Sequence, residues 1–417
     1  FGDLLNRYLQ YSGYEVKFVQ NLTDVDDKTI ANSQKEHKSL KDFTAPFIKG
    51  FFDDLKNLNV LPASVYPRAT EHIKEMVALV KKLLDKGIAY KSNDGCIYYS
   101  IEKFKKYGKL AHLDTEQLKA GASGRVSKDE YDKSNVHDFA LWKAWTPEDG
   151  DVFWETEIGK GRPGWHIECS AMSSKYLGET FDIHGGGVDL IFPHHENEIA
   201  QSEGASGKKF VKYWVHNEWL LVDGKKMSKS LGNFYNLRDV LDKGYHPLAV
   251  RYLLLSTHYR QQMNFTFAGL DAARNSLQRI WDFMKKLDAC SGKGKDVSAL
   301  LKKAKESFTK CLDDDLEISG ALAVLFDLIK DINSVMPELG KKDVSEIKEL
   351  MHEFDRVLGF IVVKEEKIGV DSQNLVNERE SARKSKDFKK ADKIRDELKS
   401  KGIILEDTPQ GVRWKRA

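Results

Sequence analysis

Apolar residues along the chain recur at two periods, and the period changes with position. Residues 3 to 11 repeat at helical spacing and give out near Gly13. Glu15-Val16-Lys17-Phe18-Val19 then alternates polar and apolar, which predicts a strand. The polar cluster Asn21-Leu22-Thr23-Asp24-Val25-Asp26-Asp27-Lys28 follows at the C-terminal end of that strand, where open α/β sheets bind ligands. Amphipathic helices are predicted over 39–58 and 70–87. A strand-rich stretch, Ala89 to Ser100, leads into a polar, Gly-containing segment to about residue 136 that breaks the αβ alternation and looks like an insertion. Helix, strand and glycine turn return between Gly164 and Leu221. From about residue 267 to Val362 long helical periods with few glycines predict a bundle. A polar linker, Lys364 to Gln373, precedes a helix over 375–400 with Ala391, Ile394 and Leu398 on one stripe and Gly402 as its cap. Ile403-Ile404-Leu405 and Val412-Arg413-Trp414, joined through Pro409 and Gly411, predict a hairpin.

Composition narrows the class. A chain of 417 residues is too long for one core. Its hydrophobic content of 41% suits a globular protein, with no apolar run long enough to span a bilayer and no signal peptide at the start. Cys96, Cys169, Cys290 and Cys311 lie far apart, so a disulfide framework is not expected and a cytoplasmic location is. Net charge is +2, but residues 377–417 hold 13 Lys and Arg against 8 Asp and Glu, a balance of +5 that leaves −3 for the rest. A basic tail on a mildly acidic body suits contact with a polyanion, or a charged helix facing water. Phe1 already lies in a helical period, so a further segment is expected upstream of it.

Two clusters carry candidate chemistry. In Phe192-Pro193-His194-His195-Glu196-Asn197-Glu198, proline suits a first helical turn, and His194 and Glu198 then share a face. Cys169 lies 25 residues earlier. Cysteine, histidine and glutamate are zinc ligands. Without a Cys-x-x-Cys pair the set is incomplete, which leaves open a site with a position for substrate or a solvated helix start. His195 also neighbours Glu198, so spacing does not choose between the histidines. Trp165 and His166 fall one turn before Cys169 and would wall a small pocket. The second cluster, Lys225-Lys226-Met227-Ser228-Lys229-Ser230-Leu231-Gly232-Asn233, is basic and hydroxyl-rich but is not a Walker loop. It could close over a triphosphate, or be an ordinary solvated lysine loop. His184-Gly185-Gly186-Gly187 permits close backbone approach to a nucleotide, and Asp189 could accept from ribose hydroxyls.

The order of the pieces resembles a known family. Lys226-Met227-Ser228-Lys229-Ser230 matches the second signature of the class I aminoacyl-tRNA synthetases. With Gly164-Trp165-His166-Ile167-Glu168-Cys169-Ser170 and Phe192–Glu198, it closely resembles the cysteinyl-tRNA synthetases. Asn21–Lys28, Pro67-Arg68-Ala69-Thr70-Glu71-His72-Ile73, Asp138-Phe139-Ala140-Leu141-Trp142-Lys143 and Leu405–Gly411 extend the resemblance over essentially the whole chain.

That resemblance implies an α/β fold: a Rossmann-like catalytic domain with an insertion, then a helical bundle and a small C-terminal α+β module. The expected divisions are 1–87 (catalytic, first part), 88–158 (insertion), 159–224 (catalytic, second part), 225–266 (phosphate loop and stem contact), 267–362 (tRNA-binding bundle) and 363–417 (linker and anticodon module). It implies one zinc ion held by Cys169, His194 and Glu198. A fourth ligand, a cysteine ahead of a His-x-Gly-His signature, is expected upstream of Phe1. ATP, with Mg2+, would meet Lys229, supported by Lys226, together with His184, Gly185, Gly186, Gly187 and Asp189. Thr23, Trp165 and His166 would bound the cysteine pocket. The implied reaction activates L-cysteine to cysteinyl-adenylate and transfers it to the 3'-terminal adenosine of tRNA(Cys), by a monomer with no membrane contact. Trp414 would either stack on an anticodon base or sit in the hairpin core. A zinc-dependent ligase joining cysteine to a small amine, and an inactive RNA-binding paralogue, are the alternatives.

Overall fold

Helix α1 (Gly2–Tyr11) forms where the period predicts it and buries Leu4 and Tyr8. The structure, a computed structural model, describes residues 1–113, 125–126, 137–362, 370–401, 403–408 and 411–416. Part of the polar segment reaching residue 136, most of the 364–373 linker, the Gly402 cap and the turn at Pro409 therefore lie outside the described residues. The chain divides into two units, Phe1–Val362 and Val363–Ala417.

In the first unit, α2 (Asp27–Lys35), α3 (Leu40–Asn57) and α4 (Ile73–Asp85) follow. Asp26 caps α2 by accepting from Thr29 N–H, in a reciprocal capping box. The strand expected at Glu15–Val19 is reduced to single parallel bridges, Val19 to Val65 and Leu22 to Arg68. The partner segment carries Pro62 and Pro67, and a proline gives the ladder a carbonyl but no donor. Pro67 accordingly only accepts, from Leu22 N–H at 2.8 Å.

The stretch expected as an insertion contributes to a sheet that runs on to Pro163. Strands β1 (Ala89–Lys91), β2 (Ile97–Tyr99), β3 (Arg125–Val126), β4 (Asp138–Ala144), β5 (Trp154–Thr156) and β6 (Gly159–Pro163) run in the order β1-β2-β4-β6-β5, with β3 beside β4. Tyr99, Phe139 and Leu141 face the buried side and join Val80, Leu83, Ile167 and Ala200 in one core. Helix α5 (Trp165–Leu177), strand β7 (Phe181–Gly187), helix α6 (Glu196–Ser206) and strand β8 (Val211–Asn217) follow. Strands β7 and β8 are parallel, pairing His184 with Trp214 and Gly186 with His216, so their C-terminal ends bring imidazoles to one edge.

Strands β9 (Leu220–Val222) and β10 (Lys225–Lys226) form an antiparallel pair, and β11 (Met263–Phe265) lies parallel to β9. Between them are α7 (Leu237–Leu241) and α8 (Pro247–Leu255), with Pro247 at the first helical position. The bundle is α9 (Phe267–Asp288), α10 (Ser298–Asp313), α11 (Ile318–Val335) and α12 (Lys341–Leu358). Leu277, Phe283, Phe308, Leu325 and Phe354 share a core with Leu4 and Tyr8 of α1, so the bundle and the catalytic half are packed together. A buried clasp adds to this. Asp3 accepts from Arg7 Nε at 2.8 Å and from Arg251 Nη2 at 2.6 Å, and Arg251 Nε donates to Leu358 O at 2.7 Å. Losing the Asp3 carboxylate would take from two buried guanidiniums the carboxylate that both touch, at a cost of up to about 3–5 kcal/mol.

In the second unit the single helix expected over 375–400 is two, α13 (Val370–Lys384) and α14 (Phe388–Ser400). Lys386 takes a left-handed φ of 63°, and Asp387 then caps α14 through Lys390 N–H. The stripe is as expected: Ala391, Ile394 and Leu398 are buried. Strands β12 (Ile403–Thr408) and β13 (Gly411–Arg416) form the hairpin, whose Trp414 packs against Leu405 and its neighbours as part of the core. No helix among the described residues is long and apolar enough to cross a membrane.

Candidate active site

Cys169 is placed by α5, and α5 is placed by a glycine. A Cβ on Gly164 would lie 2.1 Å from the carbonyl oxygen of Ala140, so only glycine lets the helix start so close to β4. Trp165 follows, its ring 4.4 Å from that of His194, and His166 Nδ1 lies 2.8 Å from His194 Nδ1 in a buried contact. That contact fixes the imidazole plane and turns the other nitrogen, His194 Nε2, toward Glu198. Asn21 Nδ2 approaches Cys169 Sγ at 3.5 Å and Thr23 Oγ1 at 3.4 Å, which brings the polar cluster after residue 20 to the same spot. Asp24 holds that cluster in place by accepting from Thr70 N–H at 3.0 Å and Thr70 Oγ1 at 2.7 Å.

Pro193 does not open a regular helix. Residues Ile191–His195 form an irregular turn in which Phe192 is extended (φ −137°, ψ 131°), and α6 begins at Glu196. His194 and Glu198 nonetheless meet one turn apart, Nε2 to Oε2 at 3.6 Å. One donor atom each from Cys169, His194 and Glu198 falls within a 4.8 Å span, and so does one each from His184, His195 and Glu198. Cys169 is thus grouped with His194, a choice that spacing left open. His195 Nδ1 instead meets His216 Nε2 at 2.8 Å.

The electrostatics suit a cation. Glu198 is fully buried, and among the described residues neither of its carboxylate oxygens has a hydrogen-bond partner, although imidazole nitrogens of His184, His194 and His195 stand 3.2, 3.6 and 3.8 Å from Oε2. A buried carboxylate without hydrogen bonds is costly unless a positive charge belongs beside it. Burial pulls the His194 pKa down to about 3, against the opposing pull of Glu198, so the ring is neutral with a lone pair to donate. Burial also lowers His195, with His184 next in effect. Burial raises the Cys169 thiol well above its ordinary value, reinforced by Glu198 and Glu168, so an entering metal must displace that proton. A thiolate, an imidazole and a carboxylate converging at one point form a zinc donor set.

The structure places His184, assigned above to the nucleotide, beside this cluster: its Nε2 lies 3.2 Å from Glu198 Oε2, and its ring 4.9 Å from that of His195. Gly186 has a second reason to be glycine, since a Cβ there would come within 2.9 Å of His195 Cε1. Asp189 and Thr23 are exposed. His216 was not singled out from sequence, and only the folded structure shows that it meets His195.

The basic loop is built to present its lysines. Asn233 accepts from Ser228 N–H at 2.9 Å and donates to Lys226 O at 3.1 Å, while Gly232 closes the turn with a φ of 65°. Met227 packs against the core. Lys226 lies 5.8 Å from the Trp219 ring and Lys229 5.5 Å from the Phe234 ring. Both lysines are exposed, and no described carboxylate pairs with either. Their charge is available to a ligand.

A family model described as "tRNA synthetases class I (C) catalytic domain" matches residues 1–275, and a "DALR domain" model matches residues 307–362. The fold agrees: Mycobacterium tuberculosis methionyl-tRNA synthetase in complex with methionyl-adenylate superimposes with a TM-score of 0.60 at 15% identity, over 86% of this chain and 85% of that one. An Agrobacterium radiobacter LeuRS–tRNA ternary complex gives 0.60 at 12% identity, over 86% and 80%. Fold and catalytic domain are those of a class I aminoacyl-tRNA synthetase.

The "Cysteinyl-tRNA ligase anticodon binding domain" matches residues 366–414. The cysteine–tRNA ligase of Protochlamydia amoebophila is 49% identical over 100% of this chain and 88% of its own length. That of Brachyspira hyodysenteriae is 49% identical over 100% and 90%. The chain belongs to the cysteine–tRNA ligase family.

Proposed function

We propose that this ligase selects L-cysteine by a zinc ion held by Cys169, His194 and Glu198, activates it with ATP and transfers it to tRNA(Cys). The observation that carries the metal is the fully buried Glu198 carboxylate, whose oxygens have no hydrogen-bond partner while thiol and imidazole converge on it. When bound, the metal supplies a soft Lewis acid that prefers thiolate to hydroxyl and lowers the thiol pKa.

That preference answers a discrimination problem. Cysteine, serine and alanine are nearly the same size, and a pocket contact worth one methylene yields only about 1–3 kcal/mol. The protein's part is to shape and orient. Trp165 walls the pocket, and Thr23 lies on the side held by Asp24 and Thr70. His166 keeps the His194 ring in its plane and can help orient the substrate carboxylate. Once bound, that carboxylate attacks the α-phosphate of ATP, and pyrophosphate leaves as charge accumulates on its oxygens. Lys229, with Lys226, balances that charge from the loop; Mg2+ accompanies the nucleotide. Gly185, Gly186, Gly187 and Asp189 line the nucleotide side. A ribose hydroxyl of the 3'-terminal adenosine of tRNA(Cys) then attacks the activated carbonyl, the acyl–phosphate bond breaks and AMP leaves, with the 267–362 bundle against the tRNA stem and the 363–417 module at the anticodon.

ATP–pyrophosphate exchange tests the selection. With the full-length protein, exchange is expected with cysteine and to be at least ~10⁴-fold weaker in kcat/KM with serine, since a site built for one functional group can reject its analogue by about 10⁴–10⁵. Comparable exchange with serine would refute selection by the metal.

A further inference from the structure

Within Phe192–Glu198 two polar side chains take no part in the ligand cluster, although both are fully buried: Glu196 and Asn197. They reach instead to the chain that follows the first strands of the insertion. Glu196 Oε2 accepts from Gly108 N–H at 3.0 Å and Oε1 from Ala111 N–H at 2.7 Å, so both carboxylate oxygens are used. Asn197 Oδ1 accepts from Tyr107 Oη at 2.5 Å. Residues 107–111 curl over the carboxylate with Gly108 at a φ of 86°, where a Cβ would lie 2.9 Å from that of Leu113. Tyr107 and Ala111 are themselves buried.

The ligand turn has a need that this arrangement meets. An extended Phe192 interrupts the chain two residues before His194, so no continuous helix on the N-terminal side anchors the turn that carries the ligands. Geometry at a metal site must be held within about 0.5 Å by surrounding contacts. Three hydrogen bonds from residues 107–111 grip Glu196 and Asn197, two of the three residues lying between the two ligands. Burying a carboxylate for packing alone would be a poor exchange, and apolar residues of similar size would pack as well.

We propose that Glu196 and Asn197 are positioning residues: they brace the His194–Glu198 turn against residues 107–111, so that docking of the insertion sets the geometry of the zinc ligands. The brace rests on the assignment of zinc to Cys169, His194 and Glu198, and the test separates the two. Zinc dissociation constants are measured by chelator competition on the full-length parent, Glu196→Gln and Tyr107→Phe, together with metal-free melting temperatures and the KM for cysteine and for ATP. Glu196→Gln turns an amide N–H toward one of two backbone donors, whereas Tyr107→Phe deletes a single hydroxyl and leaves the fold the milder challenge. Both variants are expected to bind zinc about 10-fold more weakly, the low end for residues that orient metal ligands. The KM for cysteine should rise while that for ATP stays put. A merely structural role would lower the metal-free melting temperature and leave the zinc dissociation constant within about twofold of the parent in both variants, and that result overturns the brace alone. A parent that binds no zinc overturns the metal assignment, and the brace with it.

Discussion

A Cys169→Ser variant is expected to lose its zinc under conditions that leave the parent loaded, and to lose cysteine-dependent pyrophosphate exchange by more than ~10²-fold. The estimate is a lower bound: residues that merely orient ligands cost 10–100-fold in metal affinity or activity, and Cys169 would be a ligand itself. The substitution exchanges one atom, so packing around α5 changes little, but it removes the soft donor and the charge that balances the cation. What remains is a neutral imidazole and Glu198, a buried carboxylate with no hydrogen-bond partner. Metal analysis of the purified variant checks the first half and exchange kinetics the second. A variant that retains zinc at the parental affinity would remove Cys169 from the ligand set.

Lys229→Ala should leave zinc content and the KM for cysteine unchanged and lower the rate of adenylate formation by about 10²–10³, or about 2.7–4 kcal/mol, the scale seen for one group aimed at developing charge. The loop supports this division of labour. Asn233 ties Ser228 N–H to Lys226 O, and Met227 fastens the loop to the core, so both lysine ammonium groups stay exposed. Neither is held by a described carboxylate, and losing Lys229 strands no buried partner. The loss therefore falls on the chemical step, not on folding. Lys226→Ala should cost less. Single-turnover adenylate formation separates the two lysines, and a Lys229 variant at the parental rate would move the phosphate site elsewhere.

How much could be read beforehand depended on range. Helix α9 was legible because Leu270, Ala273, Leu277, Ile280 and Phe283 recur three and four apart, and each is buried where that spacing puts it. The strand at Glu15–Val19 was misread because alternation says nothing of the partner, and the partner segment carries two prolines. The break at Ser385–Asp387 was missed because no apolar position falls there to signal a change of register. His194 and Glu198 could be paired from local spacing, since one helical turn separates them. Cys169, 25 residues earlier, was a candidate by residue type alone, and resemblance rather than spacing joined it to them. His184 was given to the nucleotide because glycines follow it; that its ring also lies beside Glu198 of α6 is a contact between a strand and a helix that no local pattern signals. The grip of residues 107–111 on Glu196 joins positions 85 to 88 residues apart and left no mark in either segment.

The most direct measurement is transfer of radiolabelled cysteine to total tRNA by the full-length protein, with and without zinc. RNase-sensitive label on one isoacceptor group, lost when zinc is stripped and regained when it is returned, is the predicted result. Cysteine-dependent exchange without any charging would contradict it and point to a ligase acting on a small amine. Neither exchange nor charging would leave an RNA-binding paralogue that has kept the site but not the reaction.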